Sequence, residues 1–371
     1  MNPRDLLARL VAIDSVNPDL VPGGRGEREI ADFCARWFAE RGFEVHLLER
    51  RPGRPSLVAV KKGSGGGKSL MLNGHIDTVG LAGYDGDPLL PEVRDGRMFG
   101  RGTFDMKGGV AAMMVAAARA ENLRGDVIVA CVADEEHGSS GTAEVLERFT
   151  ADAAIVTEPS HLEVTLAHKG FVWLDVVVEG RAAHGSRPEL GVDAIAKAGH
   201  FLVALEQLGH DLAAGPRHHL LGTGTVHASV ISGGEEASTY PSSCRITVER
   251  RTVPGESPQR VEDELRAVLD RLHDTVPDFR ATLTRGLARD PFEADPDAEI
   301  VRTLIANLGA PPVIRAEPFW TDCALLDAAG IPCLLFGVDG AGAHAATEHI
   351  DLASLDRLTD VLARTVTDFC G

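Results

Sequence analysis

The feature that most constrains the fold is a set of short, wholly apolar segments. Three of them are Leu70–Leu72, Val127–Val132 and Ala153–Val156. Apolar runs of this length, bounded by turn residues, are typical of strands that are buried on both faces of a parallel sheet. Between the first two lies GGVAAMMVAAARA, whose small residues allow a helix to pack closely on a sheet. The sequence therefore predicts an α/β fold with a mixed, mostly parallel sheet flanked by helices.

The pattern changes near Gly170 and returns near Pro291. Between these points the chain contains two amphipathic, helix-like segments and four strand-like ones, FVWLDVVVEG, TVHASVISGG, CRITVERRTV and RATLTRG. In the second helical segment, Ser257 and Pro258 are suited to the N-cap and to the first helical position. We therefore expect residues 171–287 to form an inserted, ferredoxin-like α+β domain. Residues 1–170 and 288–371 should form one discontinuous main domain.

Composition argues against several classes of function. With 371 residues the chain is long enough for about two domains. Its net charge of −18 opposes binding to nucleic acid or to an acidic membrane surface. The longest apolar run, Val110–Ala118, is too short to cross a bilayer, and the N-terminal segment carries Asp5, which is unlike a signal peptide. We therefore expect a cytoplasmic protein with no membrane or nucleic-acid partner.

The segment GSGGGKS, at residues 63–69, resembles the end of a phosphate-binding loop. Such a loop requires a glycine where this chain has Lys62, and a helix after its final serine or threonine. The next residues, Leu70–Asn73, have a strand pattern instead, so no helix N-terminus would face a phosphate. We therefore predict a hairpin turn between LVAVKK and SLMLN, and not a nucleotide site.

Polar residues follow the first of the apolar strands. His75 and Asp77 are two positions apart, so Asp77 could accept a hydrogen bond from one imidazole nitrogen and leave the other for a metal. Asp105 lies in a glycine-rich turn before the small-residue helix. It is suited either to cap that helix or to bind a metal. Taken alone, neither motif decides between a metal site and a structural role.

Acidic residues follow the next two strands. Glu135 and Glu136 are adjacent, and neighbouring carboxylates repel each other unless a cation or a raised pKa compensates. Glu158 ends the following strand, and His344 lies in a small-residue loop after the last apolar strand. Open α/β sheets bind ligands at the carboxyl ends of their strands, so these side chains predict a metal site there. Imidazole and carboxylate ligands without thiolates are suited to zinc, cobalt or manganese.

Eight blocks of the chain, in order, resemble those of one known family: NGHIDTV, GRGTFDMKGG, DEEHGSSGT, TEP, GRAAHGSRP, ERRTVPGE, TDCALLDAAGIP and GAGAHAATEHIDL. They are similar to the dinuclear-zinc hydrolases that include acetylornithine deacetylase, succinyl-diaminopimelate desuccinylase, aminoacylase and carboxypeptidase G. The resemblance extends over essentially the whole chain. It implies that residues 1–170 and 288–371 form a catalytic domain, and that residues 171–287 form a lid through which such proteins usually dimerise.

The resemblance also implies five ligands for two divalent cations. Asp105 would bridge the two ions. His75 and Glu158 would complete the ligands of one ion, and Glu136 and His344 those of the other. Zinc is the cation that the resemblance implies, with cobalt and manganese as alternatives.

Further residues acquire catalytic or substrate-binding roles from the same resemblance. Glu135 would be the general base that takes a proton from the attacking water, and Asp77 would orient a histidine ligand. In the lid, His184 would polarise the scissile carbonyl, often across a dimer. Arg251 would bind the substrate's carboxylate, although an exposed strand arginine without a function fits the pattern equally well. Ser238 stands where many members have asparagine, a departure similar to acetylornithine deacetylase-type sequences that leaves the substrate contacts open.

The reaction implied is metal-dependent hydrolysis of the amide bond of an N-acyl amino acid, as in acetylornithine deacetylase. A dipeptidase, a carboxypeptidase or a succinyl-diaminopimelate desuccinylase is the alternative, because these enzymes share the metal site and differ in pocket shape. His227, on a predicted lid strand, could line that pocket. A non-catalytic binding protein of this fold would have lost a ligand or the base, and no such loss is seen. The expected partners are a small N-acyl amino acid or short peptide, and a second copy of the chain.

Overall fold

The computed structural model describes residues 2–371. Its helices are α1 Pro3–Val11, α2 Arg28–Ala39, α3 Gly108–Arg119, α4 Ser140–Leu146, α5 Ala194–Ala214, α6 Pro258–Thr275, α7 Glu299–Asn307, α8 Cys323–Ala328 and α9 Leu352–Cys370. An irregular helical turn, Thr103–Lys107, precedes α3. The start of α6 is as predicted: Ser257 is its N-cap and accepts a hydrogen bond from the backbone N–H of Arg260, and Pro258 is its first residue.

The strands are β1 Glu44–Leu48, β2 Ser56–Lys61, β3 Leu70–His75, β4 Glu92–Arg94, β5 Arg97–Phe99, β6 Val127–Val132, β7 Ala153–Val156, β8 Val164–His168, β9 Gly170–Glu179, β10 Thr225–Gly233, β11 Ser243–Thr252, β12 Arg280–Arg289, β13 Phe292–Glu293, β14 Ile314–Glu317, β15 Cys333–Leu335, β16 Gly340–Ala341 and β17 His349–Asp351. The three apolar segments of the sequence are the strands β3, β6 and β7. All the residues of these three strands are buried, as predicted for the apolar segments, and in β3 burial extends to the polar Asn73 and His75.

The chain divides into two structural units. The first comprises the chain up to Leu166 together with Ala294–Arg315 and Thr321–Gly371. The second comprises Ala167–Glu293 and Ala316–Trp320. The first unit is therefore discontinuous in sequence. Among residues 2–371, no helix has both the length and the apolar composition that a membrane crossing requires.

A mixed sheet forms the centre of the first unit, with strand order β1-β2-β6-β3-β7-β15-β8. The neighbours β6, β3, β7 and β15 run parallel to one another. On one side β2 is antiparallel to β6 and to β1, and on the other side β8 is antiparallel to β15. The prediction of a mixed sheet is confirmed, but the sheet is not mostly parallel, because its parallel pairs are confined to the central strands.

The predicted hairpin between β2 and β3 is wrong. β6 lies between these strands, antiparallel to β2 and parallel to β3. The glycine-rich segment instead hydrogen-bonds to the residues that precede β6: Ser64 N donates to Leu123 O at 2.9 Å, and Gly65 N donates to Arg124 O at 2.8 Å. The segment leads directly into a strand, so it lacks the helix N-terminus that a phosphate loop needs.

Helices cover both faces of this sheet. Successive side chains of a strand point to opposite faces. Asn73 of β3 donates through Nδ2 to Thr142 Oγ1 on α4, at 3.1 Å. The next residue, Gly74, faces the other way, where a β-carbon would lie 2.7 Å from Met106 Cε, just before α3. Helix α3 in turn packs against α1 and α9, which completes the helical layer on that face.

A small sheet in the same unit connects the end of the chain with its middle. Its strand order is β16-β17-β5-β4. The antiparallel pairing of β17 with β5 sets His349 opposite Phe99 and Ile350 opposite Met98. The loop between β16 and β17 is therefore brought beside the turn that follows β5.

The second unit contains an antiparallel sheet with strand order β10-β11-β9-β12. With α5 and α6, the chain order of its elements is βαββαβ, the order of ferredoxin-like units. Alternate residues of β9, such as Val172 and Val176, point to one face and pack with Phe201 of α5 and Leu265 of α6. This apolar cluster is the core of the second unit.

Candidate metal centre

Three neighbouring strands bring together residues that the sequence singled out. Because β6, β3 and β7 are parallel, their carboxyl ends meet at one edge of the sheet. His75 is the last residue of β3, Glu135 and Glu136 follow β6, and Glu158 follows β7. His75 and Glu158 are only 1% and 5% exposed. The edge is therefore a largely water-excluded place with several ionisable groups.

Asp105 reaches the same place from the irregular turn before α3. The turn requires Gly102, whose φ of +79° is in the left-handed region and where a β-carbon would lie 2.9 Å from Thr78 Cγ2. Helix α3 begins at Gly108 with Lys107 as its N-cap, and no side-chain cap is present. The interpretation of Asp105 as a helix cap is therefore wrong.

The carboxylate of Asp105 lies between two histidine–glutamate pairs. Its Oδ1 is 3.1 Å from Nε2 of His75, and its Oδ2 is 3.3 Å from Nε2 of His344. Nε2 of His75 is also 3.4 Å from Oε1 of Glu158, and Nε2 of His344 is 3.0 Å from Oε2 of Glu136. The two imidazoles thus point at opposite oxygens of one carboxylate.

Glu135 is the remaining carboxylate at this edge. Its Oε2 is 4.0 Å from Nε2 of His75. Potential ligand atoms of His75, Glu135 and Glu158 lie within 4.8 Å of one another, and so do those of His75, Asp105 and Glu136. Distance alone therefore does not show whether Glu135 is a metal ligand or a general base, and its role has to be argued from chemistry.

Burial and mutual repulsion act on these carboxylates. Burial, followed by the charge of Glu158, raises the pKa of Glu135 well above its usual value. Burial and the charge of Asp105 likewise raise the pKa of Glu136. Carboxylates that are close together in a medium of low dielectric are costly to ionise unless positive charge is nearby.

The same carboxylates raise the pKa of the two histidines. Hydrogen bonds to Asp105 and then to Glu136 raise the pKa of His344 to about 10. At His75, burial by itself lowers the pKa, but the charge of Glu158 and the hydrogen bond to Asp105 outweigh it, and the pKa lies well above its usual value. The site therefore stabilises positive charge.

The residues at this edge fit divalent cations. Oε1 of Glu136 is buried and has no hydrogen-bond partner among residues 2–371, whereas a buried carboxylate oxygen normally has one. The donors are imidazole nitrogens and carboxylate oxygens, which suit zinc, cobalt and manganese. A cation bound here would accept Oε1 of Glu136 as a ligand and would offset the negative charge of the neighbouring carboxylates.

Asp77 is fully buried and organises the residues around it. Nδ1 of His75 is 3.0 Å from the backbone O of Asp77 and 3.5 Å from its Oδ1. The carboxylate accepts hydrogen bonds from the backbone N–H groups of Glu135 and Glu136, at 3.2 and 3.3 Å. Nδ2 of Asn17 donates to its Oδ2 at 2.8 Å. Asp77 thus orients a histidine on one strand and the turn that follows the neighbouring strand.

A buried polar network behind Asp77 was missed at the level of sequence. The guanidinium of Arg54 contacts Glu27 at 2.6 Å and Asp134 at 3.1 Å. Nδ2 of Asn17 also donates to Asp134 Oδ1 at 3.2 Å. These residues come from separate segments of the chain, and no local pattern links them. Each of them lies among other polar or charged residues, so the local sequence does not single any of them out.

In the second unit, His184 and Ser238 lie close together on exposed segments. His184 forms an isolated bridge with Thr239, and Gly185 N donates to the backbone O of Ser238 at 2.7 Å. Nδ1 of His184 accepts a hydrogen bond from Ser186 N at 3.2 Å. In the neutral imidazole the proton is therefore on Nε2, where it is available to a hydrogen-bond acceptor.

Arg251 and His227 lie on neighbouring strands, β11 and β10. Arg251 forms an ion pair with Glu249 of its own strand, and its guanidinium lies 5.4 Å from the centre of the Phe171 ring. His227 is directly opposite Glu249 in the antiparallel register. The sheet therefore brings Arg251 and His227 to one face, with Arg251 already paired to a carboxylate.

A second group of potential ligands, His218, His219 and Glu293, has a different character. Nδ1 of His218 accepts hydrogen bonds from the backbone N–H groups of Leu220 and Leu221, both at 3.2 Å. Its proton is consequently on Nε2, which lies 3.1 Å from Oε1 of Glu293. A cation at Nε2 would have to displace this proton and break the turn, so the group is better described as a close contact between a histidine and a carboxylate than as a metal site.

Comparison with known proteins reveals relatives over the whole chain. The family model for Peptidase family M20/M25/M40 matches residues 71–368. An acetylornithine deacetylase from Myxococcus xanthus is 34% identical, and the match covers 99% of this chain and 97% of that protein.

Solved structures of low sequence identity share the fold. A tripeptidase from Staphylococcus aureus has a TM-score of 0.82 at 21% identity, covering 100% of this chain and 98% of that one. A dinuclear metal-binding peptidase from Bacillus subtilis has a TM-score of 0.76 at 16% identity, covering 99% and 97%. The family model matches most of the chain, and the acetylornithine deacetylase is similar over nearly all of it. This chain belongs to Peptidase family M20/M25/M40.

Proposed function

We propose that this chain is a metal-dependent hydrolase that releases the acyl group from N-acyl amino acids, with acetylornithine as its leading substrate. The observation that carries the proposal is the carboxylate of Asp105 between two histidine–glutamate pairs, with Glu135 beside them. The similarity of the whole chain to an acetylornithine deacetylase supports the choice of substrate.

Two divalent cations are part of the proposal. His75, Asp105 and Glu158 would hold one of them, and Asp105, Glu136 and His344 the other. The nitrogen and oxygen donors favour zinc, with cobalt and manganese as alternatives. When bound, two such cations lower the pKa of a water molecule and polarise the carbonyl oxygen of the substrate. The shared fold with a dinuclear metal-binding peptidase supports the number of ions.

Glu135 is the proposed general base. The hydrogen bond from its backbone N–H to Asp77 holds it at the turn after β6, beside His75. Burial and the charge of Glu158 raise the pKa of Glu135, which makes its carboxylate a better proton acceptor. It takes a proton from the attacking water as the new C–O bond forms. The same proton passes to the leaving nitrogen as the C–N bond breaks.

Residues 171–287 are proposed to act as a lid that contributes to substrate binding. His184 donates its Nε2 proton to the oxygen of the scissile carbonyl, a role that the hydrogen bond at its Nδ1 supports. Arg251 binds the substrate's carboxylate by exchanging its contact with Glu249 for one with the substrate. Ser238 and His227 make further substrate contacts.

A homodimer through the second unit belongs to the same proposal. β10 is an edge strand whose Val230 and Ile231 are 60% and 52% exposed. An exposed apolar edge is a template for pairing with another strand, and a second copy of β10 would continue the sheet. Val230→Lys should therefore sediment as a monomer, while Val93→Lys, at a similarly exposed valine of the first unit, should not change the mass of the dimer. A monomeric wild-type protein would contradict this part of the proposal.

The activity is tested with metal-free protein reconstituted with zinc, cobalt or manganese. Acetylornithine, succinyl-diaminopimelate and a set of dipeptides are the substrates, and release of the free amine is measured. We expect acetylornithine to be hydrolysed faster than the others. Glu135→Gln should keep its bound metal while kcat falls by about 10²- to 10⁴-fold. Glu147→Gln, at an exposed surface pair, is the matched control.

Peptide hydrolysis or removal of a succinyl group is the second candidate. The fold that this chain shares with a tripeptidase supports a dipeptidase or carboxypeptidase, because such enzymes cleave the same type of bond. A preference for dipeptides or for succinyl-diaminopimelate in the substrate screen would select this candidate. No hydrolysis of any substrate with any metal would reject both. The expected cytoplasmic location stays a prediction, which fractionation of the cells tests.

A further inference from the structure

A buried carboxylate connects the two loops that carry Asp105 and His344. This residue, Glu348, is 1% exposed. Its Oε1 accepts hydrogen bonds from the backbone N–H groups of Phe104 and Asp105, at 2.9 and 3.0 Å. Both amides belong to the turn Thr103–Lys107. Glu348 therefore holds the backbone from which the Asp105 carboxylate projects.

The other oxygen of Glu348 is engaged in the same region. Its Oε2 accepts hydrogen bonds from the backbone N–H of Gly102 at 2.9 Å and from Nη1 of Arg101 at 2.8 Å. Arg101 is itself 3% exposed, and its Nη2 donates to the backbone O of Ala345 at 2.9 Å. Because Ala345 follows His344, the Arg101–Glu348 pair ties the histidine loop to the aspartate turn from both sides.

The loop holds His344 in a backbone conformation that a histidine seldom adopts. Its φ of +60° is in the left-handed region, which is unfavourable for residues other than glycine. Such a conformation persists only where the surroundings determine it. The His344 side chain is 55% exposed, so packing against its ring constrains it little. Apart from its contacts with Asp105 and Glu136, the position of the imidazole therefore depends on the hydrogen bonds that hold its loop.

We propose that Glu348, together with Arg101, is a positioning residue that sets the separation of Asp105 and His344 and thereby the affinity of the ligand group Asp105–Glu136–His344 for its cation. The inference rests on the proposed function, which supplies the cation. A carboxylate is suited to this task because it offers acceptors only, and four donors converge on it. An amide in its place would turn an NH2 group towards two of these donors.

The effect of Glu348 on the two ligand groups should be unequal. His75 and Glu158 lie at the ends of β3 and β7, whose positions the sheet determines. His344 lies in a loop whose position depends on the Arg101–Glu348 pair. Loss of this pair should therefore weaken the binding of one cation much more than that of the other.

The test measures metal affinity and not only activity. Metal-free wild type and Glu348→Gln are dialysed against zinc buffers of defined free concentration, and the bound metal is counted by mass spectrometry. The absorption of bound cobalt reports separately on the geometry of each ion. We expect both equivalents to weaken through the shared Asp105, but unequally, the more affected one by about 10- to 100-fold, the usual effect of removing a residue that orients a ligand. Glu144→Gln, which also replaces a buried carboxylate that accepts a backbone N–H, is the matched control and should bind both equivalents normally.

Two results would overturn the inference: wild-type affinity for both equivalents in Glu348→Gln, or equal weakening of both. Failure of the proposed function itself would look different, because the wild-type protein would then bind no metal specifically. Arg101→Gln provides a second route if Glu348→Gln does not fold, and it should weaken the same equivalent. Hydrogen exchange of the folded, metal-free wild type adds a third measurement. The amides of Gly102, Phe104 and Asp105 should be strongly protected, and rapid exchange there would also contradict the role of Glu348.

Discussion

Replacing Asp77 by asparagine changes a single atom of a fully buried side chain and should weaken metal binding. The carboxylate accepts hydrogen bonds from Asn17 Nδ2 and Glu136 N at Oδ2, and from Glu135 N at Oδ1. Oδ1 is also 3.5 Å from Nδ1 of His75. Asparagine keeps one acceptor oxygen and replaces the other by an NH2 group. Either orientation of the amide therefore sets a donor against at least one buried N–H group.

The size of the effect follows from these contacts. A buried donor left without an acceptor costs about 1–3 kcal/mol. In the metal-bound state, His75 and the turn after β6 must be held in place. If the cost appears in that state, the affinity for the metal falls by about 5- to 150-fold, because 1.4 kcal/mol corresponds to a factor of ten. The loss of a negative charge close to the cations acts in the same direction. This range overlaps the roughly 10- to 100-fold loss of metal affinity that is typical when a residue that orients a metal ligand is replaced.

Isothermal titration of metal-free protein with zinc measures the predicted loss. Asp152→Asn is a suitable control, because Asp152 also accepts hydrogen bonds from a backbone N–H and a hydroxyl, both of Ser69, but does so at the opposite ends of β3 and β7. The control should bind zinc with wild-type affinity. Wild-type affinity in Asp77→Asn would refute the argument that Asp77 organises the site. A loss of folding in the metal-free variant, detected by circular dichroism, would show instead that its contribution is to stability.

Other substitutions test the buried charges around the site. Arg54→Met leaves the carboxylates of Glu27 and Asp134 without their cation, and should lower the free energy of unfolding by about 3–5 kcal/mol in urea titrations. Arg50→Met, at an exposed ion pair, should leave the urea midpoint unchanged, and equal midpoints for both variants would contradict the prediction. Burial lowers the pKa of Lys107 from 10.5 to about 8. Between pH 8 and pH 10.5 the unfolded chain therefore binds more protons than the folded protein, so the free energy of unfolding should rise with pH. In metal-free protein the stability of the wild type relative to Lys107→Met should therefore increase from pH 8 to pH 10.5, and a difference independent of pH would disprove the shift.

The apolar composition of β3, β6 and β7 made the central part of the fold predictable. A strand that is buried on both faces needs apolar side chains at most of its positions, so its sequence differs from that of an amphipathic element. Parallel strands end at a common edge, and for this reason His75, Glu136 and Glu158 could be expected to meet although they are far apart in the chain. The roles assigned to these residues remain predictions, while their proximity is a property of the structure.

The sequence was a poorer guide to which strands pair with each other. The short segment between β2 and β3 was interpreted as a hairpin, but β6 lies between them. A glycine-rich connection is compatible with either arrangement, because its flexibility does not select the partner of a strand. The choice depends on which apolar surfaces pack together in the whole sheet.

Sequence alone determined the kinds of donor available to this site: imidazoles, carboxylates and no thiolate, at the ends of strands. The tertiary structure decided what each does there. It showed that Asp105 faces two histidines and does not cap α3, and that Glu348 collects four hydrogen bonds. It also revealed the pairing of Arg54 with Glu27 and Asp134. The physical reason is that a hydrogen bond depends on distances of about 3 Å between groups from separate segments, and a local pattern of residues contains no information about such distances.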